Sequence, residues 1–211
     1  MKMVKRGQLI RLVAGVACAL GMNLQAGEAA LKVGTTLENL QAAYNGESNA
    51  KSRYEAFAKQ ADKDGYLKVA TLFKAAAFSE SIHLKKHAAA ISKLGGKAKA
   101  DIQAPVVKST QENLAAALSG ETYEAAVMYP AFVAQAEKDG NDKAKMSFMG
   151  ALAAEKAHAV FYADALKNLD QWKQSGPVFL VCGECGFTTD DQTIKKCPVC
   201  ASPRREFKEF K

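Results

Sequence analysis

The sequence predicts an all-α four-helix bundle that carries a small β-rich domain at its C-terminal end. Three observations predict it. From about residue 36 to 172, apolar residues recur every three or four positions in an alanine-rich background, the period of helices with one buried face. That stretch contains a helical hairpin twice. After it, the helical period stops and two CxxC pairs follow, Cys182/Cys185 and Cys197/Cys200, separated by eleven residues.

The 211 residues suffice for a large domain plus a small one. Lys2, Lys5, Arg6 and Arg11 precede an apolar run, "LVAGVACALGMNL", and then small residues. That order predicts a secretory signal peptide within an N-terminal extension over 1–29, cut after Ala26 or Ala29, and hence a periplasmic rather than cytoplasmic protein. The run is too short for a membrane span, and Gly15 disfavours lipidation at Cys18. Without residues 1–26 the net charge falls from +7 to +3, because four basic and no acidic residues leave. The remaining basic residues are scattered among acids, which argues against nucleic-acid binding.

Four helices are expected, at about 36–63, 66–94, 109–138 and 141–172, in a bundle domain over 30–172. Thr35 with Glu38 and Ser109 with Glu112 have the spacing of capping boxes. "KDG" at 63–65 and again at 138–140 puts a glycine just past two helix ends. "LGGKAKADIQAPVV" is the one long polar connection.

The two hairpins align residue by residue. Tyr54, Phe57, Asp64, Phe73, Glu80 and His83 match Tyr129, Phe132, Asp139, Phe148, Glu155 and His158, all 75 positions apart. Glu47 and Glu121 are 74 apart, so the second copy holds one extra residue before its tyrosine. A residue absorbed inside a helix makes a π-bulge, a feature common at functional sites. The interval contains Glu124, which has no counterpart in the first hairpin. Each hairpin thus offers a Glu on its first helix and an E-x-x-H pair, neighbours on one helical face, on its second. Antiparallel packing aims Glu47, Glu80, His83, Glu121, Glu155 and His158 at one centre, with Glu124 close by. Burying so many ionisable groups is costly unless cations offset them. Two ferrous ions bring four positive charges against five carboxylates, and di-iron carboxylate bundles use this ligand pattern.

The cysteine pairs admit two disulfides, but CxxC pairs at this gap favour a four-thiolate metal site. The cysteines alone do not choose between iron and zinc. Gly186, directly after Cys185, lets the backbone turn so that N–H groups approach sulfur. His87 reads as structural or exposed, because its repeat partner is Tyr162. "KKH" at 85–87 reads as a solvated face, and "YLKVATLF", Met146 and Met149 as core packing.

Across residues 36–211 the chain resembles rubrerythrins, in which a ferritin-like di-iron bundle is joined to a rubredoxin-like iron domain, here 173–211. The motifs that carry the resemblance are GES…RY, ESIH, GETYEAAVMYP, EKAH, CGECGF and CPVC. It departs at Ala201, where isolated rubredoxins usually carry glycine, and in having a signal-like start. The resemblance implies that Glu80 and Glu155 bridge two irons, that Glu47 and Glu121 bind one each, and that His158 is a fixed ligand. It implies that one iron moves between His83 and Glu124 with redox state. Tyr54 and Tyr129 would hydrogen-bond near the site, the alternative being ordinary core tyrosines. The implied activity is reduction of hydrogen peroxide to water, in protection against oxidative stress, with electrons relayed from a donor protein through the cysteine-bound iron. It also implies a head-to-tail homodimer, since the two metal sites of one chain are expected to lie too far apart for transfer. The alternative is a ferroxidase or iron-binding ferritin-like protein with a zinc-ribbon tail.

Overall fold

A computed structural model describes residues 31–174 and 179–211. The expected signal peptide lies outside the described residues. The bundle is built from α1 (Thr36–Lys63), α2 (Leu67–Lys93), a composite third rod, and α5 (Asp142–Lys167). The third rod runs as α3 (Thr110–Tyr123), a π-helical turn (Glu124–Met128) and α4 (Tyr129–Lys138). The extra residue inferred from the repeat spacing is therefore absorbed as a π-turn between Glu121 and Tyr129.

Helix ends follow the local sequence. Both capping boxes form, at Thr35/Glu38 and Ser109/Glu112. Gly65 and Gly140 take positive φ (80° and 64°), which lets Tyr66 and Asn141 N–H reach back to the carbonyls of Ala61 and Ala136. The aspartate before each glycine then caps the opposite hairpin. Asp64 accepts from the backbone and hydroxyl of Thr110, and Asp139 accepts from those of Thr36. The two hairpins are thus tied at reciprocal corners. The long connection lies along α1, where Gln41, Asn45 and Asn49, one helical turn apart, bond the backbone of Lys97, Lys99, Asp101 and Gln103.

The fourth helix ends earlier than its periodicity suggests. Asn168 leaves the helical region (φ −121°, ψ 34°), and a 3-10 turn covers Leu169–Trp172. Asp164 holds this turn by accepting from Asn168 Nδ2 and Trp172 Nε1. That buries Trp172, whose ring stacks on Phe179 at the start of the tail.

The core divides into two aromatic clusters on either side of the bundle centre. Tyr54, Phe57, Phe73 and Tyr162 make one; Tyr129, Phe132 and Phe148 make the other, with the His87 ring against it. Three expectations change here. Met146 and Met149 are not core residues: they are 73% and 48% exposed. Leu67, within "YLKVATLF", is 46% exposed, while Val69, Leu72 and Phe73 are buried. Lys85 and Lys86 are solvated as expected, but His87 is fully buried.

The tail is a three-stranded antiparallel sheet, order β2-β1-β3, from β1 (Phe179–Cys182), β2 (Thr188–Thr189) and β3 (Phe207–Phe210). It packs on α2 and α5, with Phe210 against Phe78 and Phe179 edge-on to Phe161. Among the described residues no helix is long and apolar enough to cross a membrane.

Candidate metal centre

The bundle centre holds two overlapping sets of four potential ligands. Glu47, Glu80, His83 and Glu155 form one; Glu80, Glu121, Glu155 and His158 form the other. Within each set the ligand atoms lie within 4.8 Å of one another, and every residue is buried. Glu80 and Glu155 belong to both sets, so each carboxylate faces two positions at once. Glu124 belongs to neither. It is half-buried on the π-turn, with Oε1 3.9 Å from where a Cβ on Gly46 would stand.

The donor atoms fit metal rather than one another. Glu47 Oε2, both Glu80 oxygens, His83 Nδ1, Glu121 Oε2 and Glu155 Oε1 are buried without a hydrogen-bond partner. Such orphans are rare in folded proteins and costly. His83 Nδ1 stands 2.8 Å from Glu80, 3.2 Å from Glu155 and 3.5 Å from Glu47. Burial, then the neighbouring carboxylates, pushes Glu80, Glu155 and Glu124 well above the usual carboxylate range. Burial opposes the charged form of His83, but Glu155, Glu47 and Glu80 outweigh it and raise its pKa well above the ordinary imidazole value. A pair of divalent cations removes this conflict by giving the orphaned lone pairs a common partner.

Two tyrosines brace the outer carboxylates in matched positions. Tyr54 donates to Glu121 Oε1 at 2.5 Å, and Tyr129 donates to Glu47 Oε1. Each therefore comes from one hairpin and supports the Glu of the other. Tyr129 also meets His87, whose imidazole is pushed down to about 4 by burial.

The cysteines do not pair as disulfides. Cys182 and Cys200 sulfurs lie 3.6 Å apart, and Cys185 and Cys197 sulfurs 3.5 Å apart. A tetrahedron with metal–sulfur bonds of about 2.3 Å has edges of about 3.8 Å, so the cage is sized for one metal ion. The Cys182 thiol is lowered to about 5, first by the hydrogen bond from Cys185, while burial pushes Cys197 up to about 11. One thiolate forms readily, and ionising Cys185 and Cys197, both held up, needs a cation. Ala201 occupies the left-handed region (φ 62°), which explains why glycine is usual there.

The tail sits directly against the bundle centre of its own chain, so the expected long separation within one chain does not hold. Gly186 is the contact. Its φ is +82°, and a Cβ there would stand 2.3 Å from His83 Nε2. Its carbonyl accepts from Ser79 Oγ at 2.7 Å and from Thr188 Oγ1 at 3.2 Å. Because Thr188 spends its hydrogen on that carbonyl, its oxygen accepts from His158 Nε2 at 2.9 Å. His158 then carries its hydrogen on Nε2 and presents the Nδ1 lone pair to the carboxylates, the tautomer a metal ligand needs. Sequence reasoning missed Ser79, Thr188 and this second use of Gly186. The helical spacing of Ser79 and His83 was the one available signal.

The rubrerythrin family pattern matches residues 38–166. Nigerythrin of Nitratidesulfovibrio vulgaris is 38% identical over 179 residues, covering 84% of this chain and 88% of that protein. Rubrerythrin-2 of Clostridium acetobutylicum is 35% identical over 184 residues, covering 85% and 99%. The solved structure of partially reduced nigerythrin superposes with a TM-score of 0.79 at 35% identity, covering 96% of this chain and all of that one. A Mycobacterium tuberculosis bacterioferritin shares the bundle fold at 19% identity and a TM-score of 0.59.

Proposed function

We propose, from the premise that the chain belongs to the rubrerythrin family, that it is a non-haem di-iron peroxidase reducing hydrogen peroxide to water. The observation that carries this is the pair of ligand sets sharing Glu80 and Glu155. A relative has been solved in a fully reduced, all-ferrous state, which supports iron here. Two ferrous ions held there would supply both electrons that peroxide needs. Glu80 and Glu155 would be shared by the two ions, with Glu47 and His83 completing one set and Glu121 and His158 the other. Tyr54 and Tyr129 fix the outer carboxylates. Glu124, on the π-turn opposite Gly46, would offer an anionic alternative to His83 when the oxidised site carries more charge.

Cys185 and Gly186 give the tail a short path into the bundle, from the cysteine cage through one residue to the His83 ring. Iron held in that cage would return electrons one at a time, which zinc does not do. The electron source is a donor protein. A homodimer is also proposed, on the likeness to rubrerythrins alone, and the mass of the protein in solution tests it. Export is also proposed, from the basic start and apolar run. N-terminal sequencing from the native host should then begin after Ala26 or Ala29, and a start at Met1 would refute it.

Metal analysis with a visible spectrum tests the main proposal. Two irons in the bundle and one in a red, ferric four-thiolate tail are expected. A colourless zinc tail would leave the ferroxidase alternative, and zinc with no iron at all would overturn both.

A further inference from the structure

We propose that Ser147, His87 and Tyr129 form a line that carries protons from the cavity beneath the tail to Glu47. The hydrogen-bond directions follow from donor counting. Tyr129 has one hydrogen and gives it to Glu47 Oε1, because a carboxylate only accepts. Its contact with His87 Nε2, at 3.3 Å, must therefore be donation by the ring. The neutral ring then carries its hydrogen on Nε2, and Nδ1 accepts. Ser147 Oγ, 2.8 Å from Nδ1, is the donor. Every hydrogen on the line points inward.

The line also has an outside end. Tyr129 and His87 are fully buried and Glu47 nearly so, whereas Ser147 lines a cavity of about 510 Å³ between bundle and tail. The exposed Lys86, Lys143 and Met146 rim that cavity, which gives water access to the serine. The repeat supplies an internal control. The counterparts of His87 and Ser147 are Tyr162 and Leu72. Tyr162 meets Tyr54 edge-on, and Leu72 beyond it is fully buried and has no hydrogen to pass. Tyr54 braces Glu121 as Tyr129 braces Glu47, but no such line leads outward from it. Bracing alone therefore does not require His87 or Ser147.

The inference rests on the peroxidase reading, because that reaction needs protons at a buried site. Breaking the O–O bond of peroxide takes two electrons, from the reduced metal pair, and two protons, to release two waters. One of these protons passes from Tyr129 to Glu47 and on to the departing oxygen, and water of the same cavity, which His83 also lines, supplies the other. His87 Nε2–H refills Tyr129, Ser147 refills Nδ1, and cavity water refills Ser147. His87 ends neutral, with its hydrogen moved from one nitrogen to the other. His87 and Ser147 act through Tyr129 and Glu47, so they are positioning residues.

Two measurements test it. In the full-length metal-free protein, ring ¹⁵N shifts assigned with His87→Phe should show the Nε2–H tautomer of His87; the Nδ1–H tautomer would overturn the line. In the iron-loaded, reduced protein, His87→Phe and Ser147→Ala should slow oxidation by peroxide several-fold and alter its D₂O isotope effect. Oxidation by an outer-sphere one-electron acceptor, which needs no proton, should be unchanged. Equal slowing of both oxidations marks a merely structural role and overturns the proposal, as does no slowing of either. Should the His87→Phe chain fail to fold, Ser147→Ala carries the kinetic test. A wild-type protein inert to peroxide would sink the peroxidase reading, while the tautomer still decides the geometry.

Discussion

The two hairpins of the bundle are close copies that differ where chemistry would need them to. Both contribute a Glu, an E-x-x-H pair, a bracing tyrosine and a capping aspartate. They part company at three places. Only the second has a π-turn, and with it Glu124. Around the tyrosines, His87 and Ser147 on one side face Tyr162 and Leu72 on the other. Against the tail, His83 touches the Gly186 backbone while His158 bonds the Thr188 hydroxyl. A symmetric frame gives two equivalent metal positions, and each departure makes one position distinct.

The largest expected effect breaks what the halves share. Glu80→Ala or Glu155→Ala removes a carboxylate common to both ligand sets, so bound iron should fall to one ion or none per bundle. Metal analysis reads this directly, and full loading would refute the shared role.

Removing the metals exposes the repulsion that both halves hold. At free metal about 1,000 times Kd the loss is about 4 kcal/mol, which at about 2–4 °C per kcal/mol lowers Tm by about 10 °C. The gap should widen as pH rises. Glu80, Glu155 and Glu124 have raised folded values, so the unfolded chain releases these protons first and folded stability falls as pH climbs above the ordinary carboxylate range. His83 and His158 are raised too, and their contribution is lost as pH rises through their folded values. Glu47, lowered, runs the other way. Calorimetry of metal-free and loaded protein between pH 5 and 8 checks the sign.

The tail contacts sharpen the comparison next. Gly186→Ala drives a Cβ into His83 and strains a left-handed residue, so catalytic turnover should fall about tenfold or more while pre-reduced protein still reacts once with peroxide. Glu124→Ala should keep its iron, because both shared carboxylates remain, yet turn over several-fold more slowly. Loss of iron as severe as in Glu80→Ala would make Glu124 a fixed ligand. Thr188→Val is the mildest: it removes the hydrogen bonds to the Gly186 carbonyl and from His158 Nε2, at about 1 kcal/mol each, and should lower Tm slightly with a small drop in turnover.

The parts legible in the sequence were those the repeat wrote twice. Matched spacings exposed the hairpins, the potential ligands and the bracing tyrosines, and the shift from 74 to 75 located the π-turn. Capping boxes and glycines fixed helix ends because those rules act over a few residues. What was written once was harder. His87 follows two solvated lysines and pairs with a tyrosine, so nothing marked it as buried. Met146 and Met149 fit a helical period, but periodicity does not say which face a neighbour covers, and the helix leaves them outside. The placement of the tail depended on Gly186, Ser79 and Thr188 meeting across the fold. No local pattern encodes that, and the expected separation of the two metal sites in one chain was overturned for this reason.

The most direct test is to reduce the iron-loaded protein anaerobically and mix it, in separate stopped-flow runs, with peroxide and with oxygen. A di-iron peroxidase should be oxidised much faster by peroxide, with the red colour of the ferric tail appearing as electrons pass through His83. Faster oxidation by oxygen, with a tail that never changes colour, would contradict it and point to iron oxidation and storage instead.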